Sequence, residues 1–195
     1  MSTVGLEATT GPAGEPTATT TLEPEDHYEV VRGIVVEKPA MGVYETHIAS
    51  VLMIMLADFL KTHRLGRLES EMLFSLDVAV DLKRRPELTF ISNERWPRNR
   101  AVPRTAAWDV VPDLAIEIIS STNLASGVLI KVGEYFQHGV RCVWVVYPVE
   151  EQVYVYDSVT SVRILTRADR LAVPSILPQF ELPLESLFET ESPAN

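Results

Sequence analysis

The chain lacks the cysteines for an internal disulfide: Cys142 is its only one in 195 residues. That excludes a disulfide-framed scaffold and suits a reducing compartment. Cys142 itself reads as a small core residue. No unbroken apolar run approaches the roughly 18 to 20 residues of a membrane span, so no membrane role is expected. Residues 1–26 lack the basic start and apolar core of a secretory signal, and a cytoplasmic location is expected. Both ends lack cations. Residues 1–26 hold five acids without a Lys or Arg, and residues 171–195 hold four acids, again with none. The net charge of −10 therefore sits mostly at the ends. Residues 27–170 carry 17 basic and 18 acidic groups, so the overall acidity does not exclude a nucleic-acid partner. From Lys83 to Arg104 there are seven basic residues against Glu87 and Glu94. That strip reads either as a phosphate-holding surface or as a solvated basic loop.

Residues 1–26 are rich in Thr, Ala, Gly, Pro and Glu and poor in large apolar groups. Such a segment cannot offset its chain entropy by burial, so a disordered acidic tail is expected there. The folded domain is expected over 27–190. Tyr28 to Pro39 reads as two short strands around a turn at Arg32-Gly33. Residues 43–63 read as a helix: Ile48, Val51, Leu52, Met55, Leu56, Phe59 and Leu60 share one face, and Gly66 is the expected stop. His47 reads as a surface or core residue. Leu73 to Asp81 and Lys83 to Ser92 each read as one strand, the second opened by Pro86. Residues 93–108 form a polar loop long enough for a functional role. Val110 to Ile119 is the central strand. A helix follows to about His138, stopped by Gly139, and Val140 to Tyr147 is the next strand. Strand, helix, strand at this spacing is a crossover that joins parallel neighbours. Val153 to Tyr156 and Val162 to Leu165 suggest a hairpin, and Pro174 to Phe188 a loop closing over the core.

Glu117 stands in the middle of the apolar central strand. A carboxylate is costly to desolvate, so a cation, a metal or a proton must compensate it. Glu87 lies at the start of another strand. Two acids on adjacent strands can converge on one hard cation such as Mg²⁺ or Mn²⁺, with oxygen ligands and retained waters. Asp113 shares the strand and face of Glu117 but lies about 13 Å along it at roughly 3.3 Å per residue. It therefore ranks below Glu87 as a metal ligand, and its other reading is a bond to backbone at the strand's entry. Lys131 borders the inward face of the following helix and can reach Glu117. Spacing alone leaves two readings open: a metal site, or a structural Glu117–Lys131 salt bridge.

Pro86-Glu87, then Pro112-Asp113-Leu-Ala-Ile-Glu117, then Lys131 and Tyr135, then Gly139 to Pro148, together resemble the Uma family. These are restriction endonuclease-like proteins with a PD-(D/E)XK nuclease core. The resemblance runs from about Tyr28 to Phe188 and is most specific over 112–148. It implies an α/β fold, a mixed sheet flanked by helices. It implies a metal-dependent endonuclease acting on DNA with Mg²⁺ or Mn²⁺. Glu87 and Glu117 would bind metal, Asp113 is a lower-ranked ligand, and Glu117 and Lys131 would be catalytic. A homodimer is expected by analogy with related nucleases. The chain departs from the pattern at Glu87, where Asp is usual, and at Ile119, where the wider superfamily has its lysine. Lys131 would act as a displaced lysine. The family's Ser-Pro-Ser turn is Ser120-Ser121-Thr122 here, and Gly127 and Ile130 replace an acidic and a basic residue. These departures sustain a rival reading: a catalytically degenerate module of the same fold that binds nucleic acid or a protein partner.

Overall fold

The computed structural model describes residues 27–120 and 123–189. The expected tail over 1–26, the pair Ser121-Thr122 and the last expected domain residue, Thr190, lie outside the described residues.

The chain opens with β1 (Tyr28–Val31) and β2 (Ile34–Glu37), an antiparallel hairpin. Its turn residues, Arg32 at φ 53° and Gly33 at φ 77°, adopt the left-handed conformation that matches strand twist in a two-residue hairpin. Helix α1 (Val43–His63) follows with the expected bounds. Its inward face buries Ile48, Ala49, Leu52 and Leu56, with Val51, Met55, Phe59 and Leu60 packed beside them. By length and composition α1 could cross a membrane. The face it turns to the main sheet packs in the core. Its stop is Arg64, at φ 49°, whose N–H bonds the Leu60 carbonyl. Gly66 opens β3 (Gly66–Ser70), a strand that the sequence reading missed. A Cβ at Gly66 would stand 2.1 Å from the Ile91 carbonyl oxygen, so the close strand approach requires glycine.

β4 (Phe74–Asp77) comes next. The single strand expected over 83–92 is two: β5 (Leu82–Arg84) and β6 (Leu88–Ser92). Pro86 and Glu87 form the crossing between two sheets. Proline cannot donate to a ladder, which suits a place where one ladder ends and another begins. The remaining elements are β7 (Leu114–Ile118), α2 (Ala125–Gln137), β8 (Cys142–Tyr147), β9 (Gln152–Ser158), β10 (Ser161–Thr166), β11 (Arg170–Val173), β12 (Leu177–Pro183) and α3 (Leu184–Leu187). The expected closing loop is thus a strand and a short helix. Leu177, Leu184, Leu187 and Phe188 from this segment are buried in the core, as the apolar pattern implied.

The main sheet has the order β10-β9-β8-β7-β6-β3. β7 and β8 are parallel, as the crossover predicts, and the other neighbours are antiparallel. A smaller sheet has the order β2-β1-β5-β4, and β11 and β12 pair by themselves. Side chains alternate across the main sheet. Leu114, Ile116 and Ile118 join the cluster under α1, whereas Ala115 joins Val128, Val132 and Tyr135 of α2. Glu117 shares the α2 face. Cys142 is buried in the α1-side cluster, and burial pushes its thiol up to about 12. The expected mixed sheet flanked by helices is the fold observed.

Candidate active site

The crossing at Pro86-Glu87 brings Glu87 against the end of β7. Its Oε2 accepts the Ile118 N–H at 3.0 Å. Glu117, one residue earlier on β7, points toward α2. The Tyr135 hydroxyl donates to Glu117 Oε1 at 2.5 Å, and Lys131 Nζ donates to Oε2 at 3.1 Å. Lys131 and Tyr135 are four residues apart on α2, so one helix face presents both. Glu87, Glu117 and Lys131 therefore share one location. They line a cleft of about 390 Å³ between the β1–β2 hairpin and α2, together with Glu29, Lys38 and Arg84.

Those last three residues were not found from the sequence. Glu29 Oε1 lies 3.0 Å from Lys131 Nζ, so this lysine bridges two carboxylates. Arg84 holds Glu29 Oε2 at 2.6 Å and also pairs with Glu134 at 2.5 Å. Lys38 Nζ sits 2.8 Å from Glu87 Oε1 and donates to the Arg85 carbonyl at 2.7 Å. A faint signal existed for two of them. Glu29 alternates with apolar Val31, and Arg84 alternates with Leu82, so each falls on a face that a short strand buries. Nothing local marks Lys38, which reaches the site from the turn after β2.

The cluster has five acids (Glu29, Glu87, Glu117, Glu134 and, 4.0 Å from Lys38 at its edge, Glu71) and three cations (Lys38, Arg84, Lys131). The surplus falls on Glu117. Burial pushes its carboxyl up to about 7, and the charges of Glu87 and Glu29 add to that. Lys131 and Lys38 pull the other way without overcoming it. Burial alone would also raise Glu29, but Lys131 and Arg84 hold it below its ordinary value. The three surrounding carboxylates raise Lys131 despite its burial, so it stays a cation. Tyr135 is pushed well up by burial beside Glu117 and stays a proton donor. A carboxyl that titrates near neutrality can exchange its proton for a cation or take one from water.

Asp113 is not brought to this cleft. It is fully buried at the opposite end of β7. There its Oδ2 accepts the Ser92 N–H at 2.7 Å, and its Oδ1 meets Arg95 at 3.1 Å and Arg141 at 3.2 Å. Its contacts are those of a clamp on strand entries. The cationic strip is also dismantled as a single surface. Lys83 pairs with Asp81, Arg84 with Glu29 and Glu134, and Arg95 with Asp113. Arg85 spends its guanidinium on the carbonyls of Tyr28 and Glu71. Only Arg98, Arg100 and Arg104 of that strip remain exposed without an ion pair among the described residues. His47 is exposed on α1.

All donors offered by Glu29, Glu87 and Glu117 are carboxylate oxygens, the chemistry of a hard divalent ion. Among the described residues no three His, Cys, Asp or Glu side chains close into a ready-made cage. Mg²⁺ does not need one, since it commonly takes one or two carboxylates and fills its shell with water and substrate oxygens.

Comparison with known proteins agrees with this architecture. No curated protein matches the chain. A crystal structure from Anabaena variabilis ATCC 29413, described as "a putative nuclease belonging to DUF820", is similar with a TM-score of 0.73 and 22% identity. The likeness covers 84% of this chain and 90% of that one, and it shows the fold. The family model Uma2, described as "Putative restriction endonuclease", matches residues 17–185. That match spans the hairpin, the Pro86-Glu87 crossing, β7 and α2, so every element that builds the cleft lies within it, and the chain belongs to the Uma2 family.

Proposed function

We propose that this protein is a metal-dependent endonuclease that hydrolyses phosphodiester bonds in DNA, working as a cytoplasmic enzyme. The observation that carries the reading is the convergence of Glu87, Glu117 and Lys131 in one cleft, where burial holds the Glu117 carboxyl above its ordinary value. Glu87 and Glu117 would hold Mg²⁺ or Mn²⁺. When bound, such an ion polarises a phosphoryl oxygen and acidifies a water. The chain's own groups supply the rest. The Glu117 carboxylate orients the attacking water and can accept its proton. The Lys131 ammonium, fixed by Glu29 and Glu117, stabilises negative charge developing at the phosphorus oxygens. Tyr135 keeps Glu117 in place through its hydroxyl. Asp113 has no part in this site.

A specific observation favours the rival, a non-catalytic module of the same fold: each acid already has a lysine, Glu87 with Lys38 and Glu117 with Lys131. Calorimetric titration with Mn²⁺ separates the two. Wild type is expected to bind one ion, and Glu117→Gln to lose binding at least tenfold while melting as a folded protein. Wild type that takes up no Mn²⁺ even with duplex DNA present sinks the nuclease reading and leaves the module.

A further inference from the structure

Two of the arginines left over from the cationic strip, Arg98 and Arg100, lie in the loop after β6, at the other end of the main sheet. The Asn93 N–H bonds the Leu65 carbonyl at 3.0 Å, and its side-chain amide bonds the Arg64 carbonyl at 2.7 Å. Arg67 Nη2 donates to the carbonyls of Arg98 and Arg100, both at 2.9 Å. The α1–β3 corner and the loop after β6 are thereby tied together. The backbone at Arg64 and at Arg98 and Arg100 is held at one corner, although some 30 residues separate the two stretches, with the Arg67 guanidinium built into the tie. The Arg100 guanidinium stacks 3.6 Å from the ring centroid of Trp96, whose own N–H bonds the Arg100 carbonyl. None of the four arginines makes an ion pair among the described residues. The nearby acids are Glu69, two residues from Arg67 on β3, and exposed Glu94. Most cations elsewhere in the fold are ion-paired, so the exposed, unpaired Arg64, Arg98 and Arg100 make this corner a cationic surface open to a partner of opposite charge.

We propose that the exposed arginines Arg64, Arg98 and Arg100, with Arg67 as the brace of their corner, form a docking surface for the phosphate backbone of a nucleic acid, separate from the Glu87–Glu117 cleft. Glu87 precedes β6 and Asn93 follows it, so the two places are about 20 Å apart at roughly 3.3 Å per residue. Arginine forks match phosphate oxygens two at a time, and carboxylates as well, so the preference for a phosphate backbone over an acidic peptide comes from the phosphodiester substrate proposed for the cleft. The Arg100 fork is held flat on Trp96, so little side-chain freedom is lost on binding. Contacts of this kind fix position without reading sequence. The inference rests on the nucleic-acid part of the proposed function but not on metal or cleavage.

The test is fluorescence anisotropy of a labelled 20-base-pair duplex in EDTA, over a range of salt. Wild type and Glu117→Gln are expected to bind alike. Arg98→Glu/Arg100→Glu is expected to bind at least tenfold more weakly. The slope of log affinity against log salt should also fall by about 2, from the loss of two phosphate contacts at roughly 0.9 each. Arg98→Glu alone is the second variant: only the Arg98 carbonyl is used by the fold, so its weakening cannot come from misfolding. Mn²⁺ uptake should be unchanged in both arginine variants, which separates failure of this surface from failure of the cleft. Unchanged duplex affinity in both variants, no duplex binding by wild type, or equal binding of a poly-glutamate peptide would overturn the proposal.

Discussion

Glu117 sets the pH behaviour of the folded chain. Its carboxyl ordinarily titrates at 4.5 and is pushed up to about 7 in the fold. Between those values the folded state binds more protons than the unfolded chain, so stability must fall as pH rises through the window. Below 4.5 the full benefit of the protonated form is present; above 7 it is gone. The span corresponds to about 3 kcal/mol at one unit per 1.36 kcal/mol. Urea unfolding at pH 5 and pH 8 is expected to show wild type less stable at the higher pH by up to that amount. Glu117→Gln should flatten the difference, because a neutral amide accepts from Tyr135 without ionising. An equal slope in both proteins would mean that Glu117 is not the titrating group. Lys131 does not blur the result: its proton is held more tightly in the fold, and it titrates far above this window.

Elements explain why some of this was legible in the sequence and some was not. α1 could be read almost to the residue because its apolar face repeats at helical spacing over 21 residues. β7, α2 and β8 could be read because an apolar strand, a helix stopped by Gly139 and a second apolar strand leave one topology. β3 was missed because Gly-Arg-Leu-Glu-Ser has no apolar alternation; its pairing with β6 is what makes it a strand. The β5–β6 break was missed because the change of sheet is a tertiary event, and Pro86 signals an interruption without saying where the chain goes next. The same gap hid Glu29, Arg84 and Lys38, which arrive from the smaller sheet and its edges. Asp113 ranks below Glu87 as a ligand in the sequence because it lies four residues along the strand from Glu117, and its other reading, a bond to backbone at the strand's entry, is the geometry found: its Oδ2 accepts the Ser92 N–H. Asp113→Asn should therefore weaken the bonds to Arg95 and Arg141, which keep their backbone-carbonyl partners, and lose about 1–3 kcal/mol, the range for a hydrogen bond to a charged group. Mn²⁺ affinity should be unchanged wherever the variant remains folded. Chemical denaturation with a parallel calorimetric titration checks both, and a tenfold loss of affinity would return Asp113 to the metal site.

Over the whole molecule, charge is sorted by place rather than by amount. Carboxylates converge at one end of the main sheet and unpaired arginines at the other, while the acids of the two chain ends account for most of the net −10. Total charge points away from nucleic acid, whereas the sorted arrangement suits the metal-using, backbone-gripping protein proposed above. The proposed metal site would also tie global stability to the ion. An ion that binds only the folded chain raises stability by about 2.7 kcal/mol at a hundredfold excess over its dissociation constant. Here the ion must displace the proton that Glu117 keeps below about pH 7. Metal affinity should therefore rise nearly tenfold per pH unit below 7 and level off above it, because ligands bind metal deprotonated. At one fixed Mn²⁺ concentration the melting temperature should climb more at pH 8 than at pH 6. The increment should vanish in Glu117→Gln and persist in Arg98→Glu/Arg100→Glu. A Mn²⁺ increment that is the same at both pH values, or that survives in Glu117→Gln, would place the ion elsewhere on this acidic chain and leave the cleft to its lysines.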